Sequence, residues 1–151
     1  MFHPTEPLPL HHSWPLHEEA RQFELGWILN CAAIDVLEPG EVGALGPHHA
    51  GYWECNLADN SLMWTGGVYD IFGLPRLASI TRDEATALYS EESRVAMERL
   101  RAYAIKHKRG FTLDAQVYAA LIGKRRWMRL IAAPVCEGGR AVGLRGMKLI
   151  I

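Results

Sequence analysis

Seven histidines, three cysteines and a scatter of carboxylates are the groups with which this chain can do chemistry. Their spacing argues against most of it. His3, His11 and His12 lie in a proline-rich start, and His48-His49 in a stretch punctuated by glycine and proline. Adjacent histidines in loops lack the spacing of a closed metal site, so no metal is expected. Cys31, Cys55 and Cys136 are odd in number, far apart and in apolar surroundings, and read as reduced thiols rather than a disulfide framework. Cys55, between Trp53 and Leu57, reads as packing; Cys136, before an exposed turn, is the better redox candidate. Asp114 and Glu54 are single strand carboxylates that a solvated outer face explains. No G-x-S-x-G, H-E-x-x-H, phosphate-cradling glycine loop or Cys/His pair stands in a recognisable context. No catalytic residue is expected.

The elements that must position these groups change character along the chain. Residues 1–15 carry Pro4, Pro7, Pro9 and Pro15, a density that holds neither helix nor sheet, so a flexible Pro/His-rich arm is expected. Residues 16–38 repeat Ala20, Phe23, Trp27, Asn30, Ile34 and Leu37 at steps of three and four, the stripe of an amphipathic helix. Glu18 and Glu19 suit its first turn and Pro39-Gly40 ends it, leaving residues 39–49 as linker. From residue 50 the period becomes two: Trp53, Cys55 and Leu57 share a strand face. Asp59-Asn60 suits a two-residue hairpin turn that sets Leu57 opposite Leu62 and Cys55 opposite Trp64, with both tryptophans on the buried face.

A short helix closed by Gly73 follows, then one opened by Thr81 and Glu84 in capping-box spacing. The clearest helix runs from the N-cap Ser90, with Glu91 and Glu92 in its first turn, to the Lys106–Arg109 cluster before Gly110. Its apolar stripe is Ala96, Leu100, Tyr103 and Ala104. Strands are expected over 111–119, 125–135 and 141–150. Helices gathered between sequential antiparallel strands make an α+β domain over residues 50–151, with a five-stranded sheet and its helices between strands two and three on one face. In the fourth strand Trp127 and Ile131 point one way and Met128 and Leu130 the other, so both faces carry apolar groups. The N-terminal helix, a second subunit, or both must cover the face that the intervening helices leave.

Sixteen basic against seventeen acidic residues leave a net charge of −1, without the basic stripe of a nucleic-acid binder. No apolar run is long enough to span a membrane, and "MFHPTEPLPLHH" lacks the pattern of a secretory signal. A cytoplasmic protein is expected. At 151 residues a single domain buries roughly 70% of its unfolded surface, enough for an ordinary core.

"GYWECNLADNSLMWTGGVYDIFG" resembles the opening of a PAS (sensory-box) subgroup, "GxWxWDxxTGxxxWSxxxYxxxG". Trp53, Leu57, Trp64, Tyr69 and Gly73 match, with Cys55 in place of the second tryptophan and Asn56 in place of the aspartate. "GKRRWMRLIAAPVCEGGRAVGLRG" is similar to the closing motif through Gly123, Arg126, Trp127, Pro134, Gly139 and Gly146. "YSEESR" stands where the family has "HPeDr", and "LII" where "DIT" leads to an output helix. The resemblance implies a PAS fold and a sensory or regulatory role, as input to a histidine kinase or diguanylate cyclase or as a stand-alone adaptor.

Haem-binding relatives use a histidine midway along the long helix; residues 91–106 have none, and His107 reads as a cation at the helix end. Flavin-binding relatives need a cysteine in "NCRFLQ", and nothing between Pro75 and Ser90 supplies one. Neither cofactor is expected; a small apolar ligand is the remaining candidate. Tyr69, Phe72, Met97, Leu100, Tyr103, Leu113 and Trp127 are the candidate cavity lining between helices and inner sheet face, with a tyrosine as polar handle. Whether they line a cavity or fill it stays open. Phe23, Trp27, Ile34 and Leu37 are the candidate homodimer interface, Asn30 favouring a specified register, although the same stripe suits cover of the chain's own sheet. A ligand sensor predicts a cavity, and an adaptor a filled core. An enzyme predicts a buried ionisable group with a strongly shifted pKa, and a cone-type isomerase a carboxylate in the hollow.

Overall fold

A computed structural model describes residues 11–34 and 50–151. Strand β1 is His11–Pro15 and helix α1 Glu19–Ile34. Strands β2 (Ala50–Asn56) and β3 (Leu62–Trp64) precede helices α2 (Gly66–Phe72), α3 (Arg82–Thr86) and α4 (Glu91–His107). Strands β4 (Arg109–Ala119), β5 (Lys124–Glu137) and β6 (Arg140–Ile150) complete the order. The sheet runs β1-β4-β5-β6-β2-β3, antiparallel throughout.

Local chemistry sets the helices as expected. Thr81 and Glu84 form a reciprocal capping box on α3, and the Ser90 hydroxyl accepts from the Ser93 N–H at the start of α4. Gly73 ends α2 in the left-handed region at φ 64°, which costs glycine nothing.

Three expectations need correction. The sheet has six strands, because His11–Pro15 is a strand rather than flexible arm. Proline can occupy an edge strand, and Trp14 anchors this one: it is fully buried over Gly110, where an added Cβ would lie 2.1 Å from the indole ring. Its N–H donates to Thr112 Oγ1 at 3.1 Å.

The β2–β3 register is displaced by two, pairing Trp53 with Trp64 and Cys55 with Leu62. Asn56 and Asp59 side chains accept from the Ala58 and Ser61 N–H groups, stabilising a longer loop than the two-residue turn. A shift of two keeps every side chain on its face, so the tryptophans stay buried. The third correction concerns α4, which is turned by about one residue: Ser93, Met97 and Ala104 are buried, while Tyr103 is 47% exposed.

Both faces of the sheet carry a packed cluster, although the outer side of β2 and β3 stays exposed at Tyr52 and Met63. Helices α2, α3 and α4 pack on the inner face in the main core. On the outer face, Trp14, Ile131, Ala133 and Leu149 form a second cluster joined by Leu16, Phe23 and Ala50. Helix α1 lies against it: Phe23 meets Trp14 edge-on at 6.5 Å, and the Cβ position of Gly26 is 2.7 Å from Ile131 Cδ1. Phe23, offered above as a dimer contact, thus packs within its own chain. Leu37 and the side chains of Trp27 and Ile34 lie outside the described residues.

Candidate functional site

The inner end of the sheet carries a row of aromatic rings. Strand alternation aims Trp53 inward from β2, and register sets Trp64 of β3 beside it. Trp64 stacks on Phe72 of α2 with centroids 5.0 Å apart at 11°, and Tyr69 meets its edge at 5.2 Å. Phe72 in turn contacts Tyr89 at 5.9 Å.

Into this row projects Lys148 of β6, whose register partners are Gly51 of β2 and Leu130 of β5. The residue is only 7% exposed. Its Nζ lies 4.9 Å from the Phe72 centroid, 5.4 Å from both Trp53 and Trp64, and 5.8 Å from Tyr89. All four distances are within reach of a cation–π attraction. Among the described residues Lys148 has no hydrogen-bond or ion-pair partner. Two effects therefore oppose: the ring faces favour the cation, and removal from water disfavours it. Burial prevails, pushing the ammonium down to about 7, with nearby Cys55 opposing the shift and Arg82 adding to it. The same burial pushes the Tyr89 phenol upward.

A cavity of about 60 Å³ opens beside Lys148. Trp53, Cys55, Trp64, Tyr89, Met97, Phe111, Leu130 and Leu144 wall it, and Arg82, Thr86 and Arg101 stand among its more polar lining. The arginines are held in place: Arg82 is ion-paired with Glu98 of α4, and Arg101 donates to Asn60 Oδ1 of the β2–β3 loop at 3.1 Å. None of the lining residues is a carboxylate or a histidine. The Trp53 indole N–H is buried without a partner among the described residues.

Of the residues nominated from sequence, Met97 lines this cavity and Phe72 lies under Lys148. Tyr69 packs on Trp64 and donates its hydroxyl to the Ala78 carbonyl at 3.0 Å, so its polar end is already used. Leu113 is fully buried and Leu100 partly so, both in the main core but not on the cavity wall. Tyr103 and Trp127 are displaced from it, at 47% and 42% exposed. Tyr103 meets the His107 ring at a tilt with centroids 4.3 Å apart, and Trp127 sits on the outer face opposite Gln116.

The turn of α4 and the two-sided burial of β5 account for these misplacements. Sequence reasoning missed Lys148, Tyr89, Arg82 and Arg101. Counting by twos along β6 from Leu144 does reach Lys148, which is the signal that was present.

This architecture is the PAS fold, and the chain carries a PAS-fold domain. An RNA-binding light-oxygen-voltage receptor matches with TM-score 0.59 at 12% identity, over 67% of this chain and 29% of that one. The N-terminal domain of a diguanylate cyclase with PAS/PAC sensor from Marinobacter aquaeolei also gives 0.59, at 14% identity over 66% and 92% of the two chains. A domain of the putative light and redox sensing histidine kinase from Haloarcula marismortui gives 0.59 at 16% identity, over 68% and 89%. No family model and no curated protein matches the chain. Among the described residues, no helix is long and apolar enough to cross a membrane.

Proposed function

We propose that this domain is a cytoplasmic sensory module that recognises a small molecule in the Lys148 cavity and transmits its presence without chemical turnover. The observation that carries this is the partly open hollow beside a buried cation that has no partner among the described residues, since a core that served packing alone gains nothing from such a charge. A ligand that favours one packing of the surrounding elements shifts the population of states by its differential affinity. Similarity to a diguanylate cyclase sensor and a histidine kinase domain supports a partner of that kind. The homodimer expected from the α1 stripe belongs to the same proposal, as does the absence of haem and flavin.

Native mass spectrometry of freshly purified protein tests the reading. A retained small molecule, lost when Ala85→Trp fills the cavity, supports it; an empty protein whose stability no small molecule shifts overturns it in favour of a filled-core adaptor. Visible absorbance at haem or flavin bands would refute the cofactor part.

The shifted Lys148 also meets the criterion set above for an enzyme. Recognition is preferred because no lining carboxylate or histidine is at hand to move a proton beside it. Steady consumption of any carbonyl compound that is abolished by Lys148→Met would favour catalysis instead.

A further inference from the structure

The partly buried arginines of this domain have acceptors. Arg129 has the Asp114 carboxylate, Arg82 has Glu98, Arg126 has the Asp70 and Ile71 carbonyls, and Arg109 has Ser13. Lys148 is more deeply buried than these and has none among the described residues. A buried ammonium without an acceptor is costly, and replacing it by an apolar side chain would relieve that cost. The cavity beside it compounds the imbalance. Its walls supply a second unpartnered donor in the Trp53 N–H and two further cations in Arg82 and Arg101, of which Glu98 offsets one. The lining is otherwise mainly apolar and aromatic. Such a chamber, positive and low in dielectric, concentrates anions. A cationic ligand is repelled, and the ring faces it would use are already occupied by Lys148.

We infer that the cavity selects a small apolar monocarboxylate, with its carboxylate on the Lys148 ammonium and its hydrocarbon part against Trp53, Trp64 and Met97. This rests on the small-ligand reading above and adds the chemical class. The size fits: about 60 Å³ of room corresponds to roughly four to six waters. That admits a short-chain or single-ring acid and not a long fatty acid lying wholly inside. The carboxylate supplies the acceptor that the domain withholds, and holds Lys148 protonated. The ionisable groups around Lys148 are Cys55 from β2, Arg82 from α3, Tyr89 ahead of α4, and Glu98 and Arg101 from α4; Leu130 of β5 contributes no charge. None of them replaces the missing acceptor.

Titration calorimetry with benzoate and hexanoate, against benzyl alcohol and hexanol as neutral matches, tests the inference. The acids should bind more tightly than the alcohols, with proton uptake near neutral pH seen as a dependence of the heat on buffer. Lys148→Met should weaken the acids roughly ten- to a hundredfold, the scale of a hydrogen bond to a charged group, and abolish the proton uptake. The alcohols should be unaffected by it. Lys148→Gln, which keeps a donor but no charge, should behave like Lys148→Met toward the acids and guards against a folding artefact in either variant. Alcohols binding as well as acids, or acids indifferent to both variants, overturn the inference while leaving the small-ligand reading intact. Silence from all four probes overturns the carboxylate inference; the small-ligand reading falls only if the native mass spectrum is empty and no small molecule shifts the stability.

Discussion

Arg129 and Lys148 sit within one residue of each other in register, on adjacent strands but on opposite faces of the sheet. Arg129 is partly buried on the outer face and clasps Asp114 with two hydrogen bonds of 2.8 and 3.0 Å, an arrangement that pushes its pKa up. Lys148 is buried on the inner face among aromatic rings and is pushed down to about 7. The same operation, taking a cation out of water, has opposite electrostatic outcomes according to whether a carboxylate goes with it. A paired cation on a face closed by Trp14 and α1 serves the fold. One that has no partner among the described residues strains the fold, and on our proposal it is the group a ligand meets.

The comparison can be broken at several points. The largest loss belongs to the outer face, where Trp14→Ala should cost about 3–5 kcal/mol in denaturant unfolding because it empties a fully buried site and frees β1. A loss below about 1 kcal/mol would mean that β1 does not help hold the sheet. Next, Asp114→Ala should cost about 1–3 kcal/mol, discounted because the Arg129 side chain is 26% exposed. Lys148→Met should move the other way and stabilise the ligand-free domain by about 1–3 kcal/mol. If both substitutions destabilise equally, the contrast between the faces fails.

The pH profile sharpens the same contrast. Folding holds the Lys148 pKa at about 7, below its value of 10.5 in the unfolded chain. Between those two values the unfolded chain binds more protons, so stability rises with pH across that window. The cost is fully present below about 7 and is relieved as the amine loses its proton. Wild-type protein should therefore close the gap to Lys148→Met as pH is raised, as read by chemical denaturation at a series of pH values; a constant gap would contradict a buried, titrating amine. The smallest effect is expected at the cap of the helix that carries Arg82 to the cavity. Thr81→Ala removes the capping box that seats α3 and Arg82, at about 1 kcal/mol, with a measurable weakening of benzoate if the further inference holds.

Much of this was legible in the residues. The capping pairs at Thr81–Glu84 and Ser90, the αL glycine at 73 and the inward-facing tryptophans are local or period-two features, and they lie where their types put them. Strand β1 was hidden because proline density argues for loop, while the partner that makes Trp14 structural lies far along the chain at Gly110. Lys148 was hidden for a different reason. Residues Gly146–Ile150 are buried in unbroken succession because this part of the sheet is packed on both faces, so no polar–apolar alternation backs the count by twos from Leu144 that reaches the lysine.

The linear chain specified the class of fold, the starts of helices α3 and α4, and the aromatic content of the inner wall. These follow from periodicity and from short-range hydrogen bonds, which a linear chain already specifies. Only the tertiary structure decided that a lysine, and not one of the nominated tyrosines, stands at the hollow, and that an arginine one residue away in register is neutralised while the lysine is not. Charge in a protein interior is set by what other strands and helices bring within a few ångströms, and that is a property of the packed sheet rather than of any segment of it.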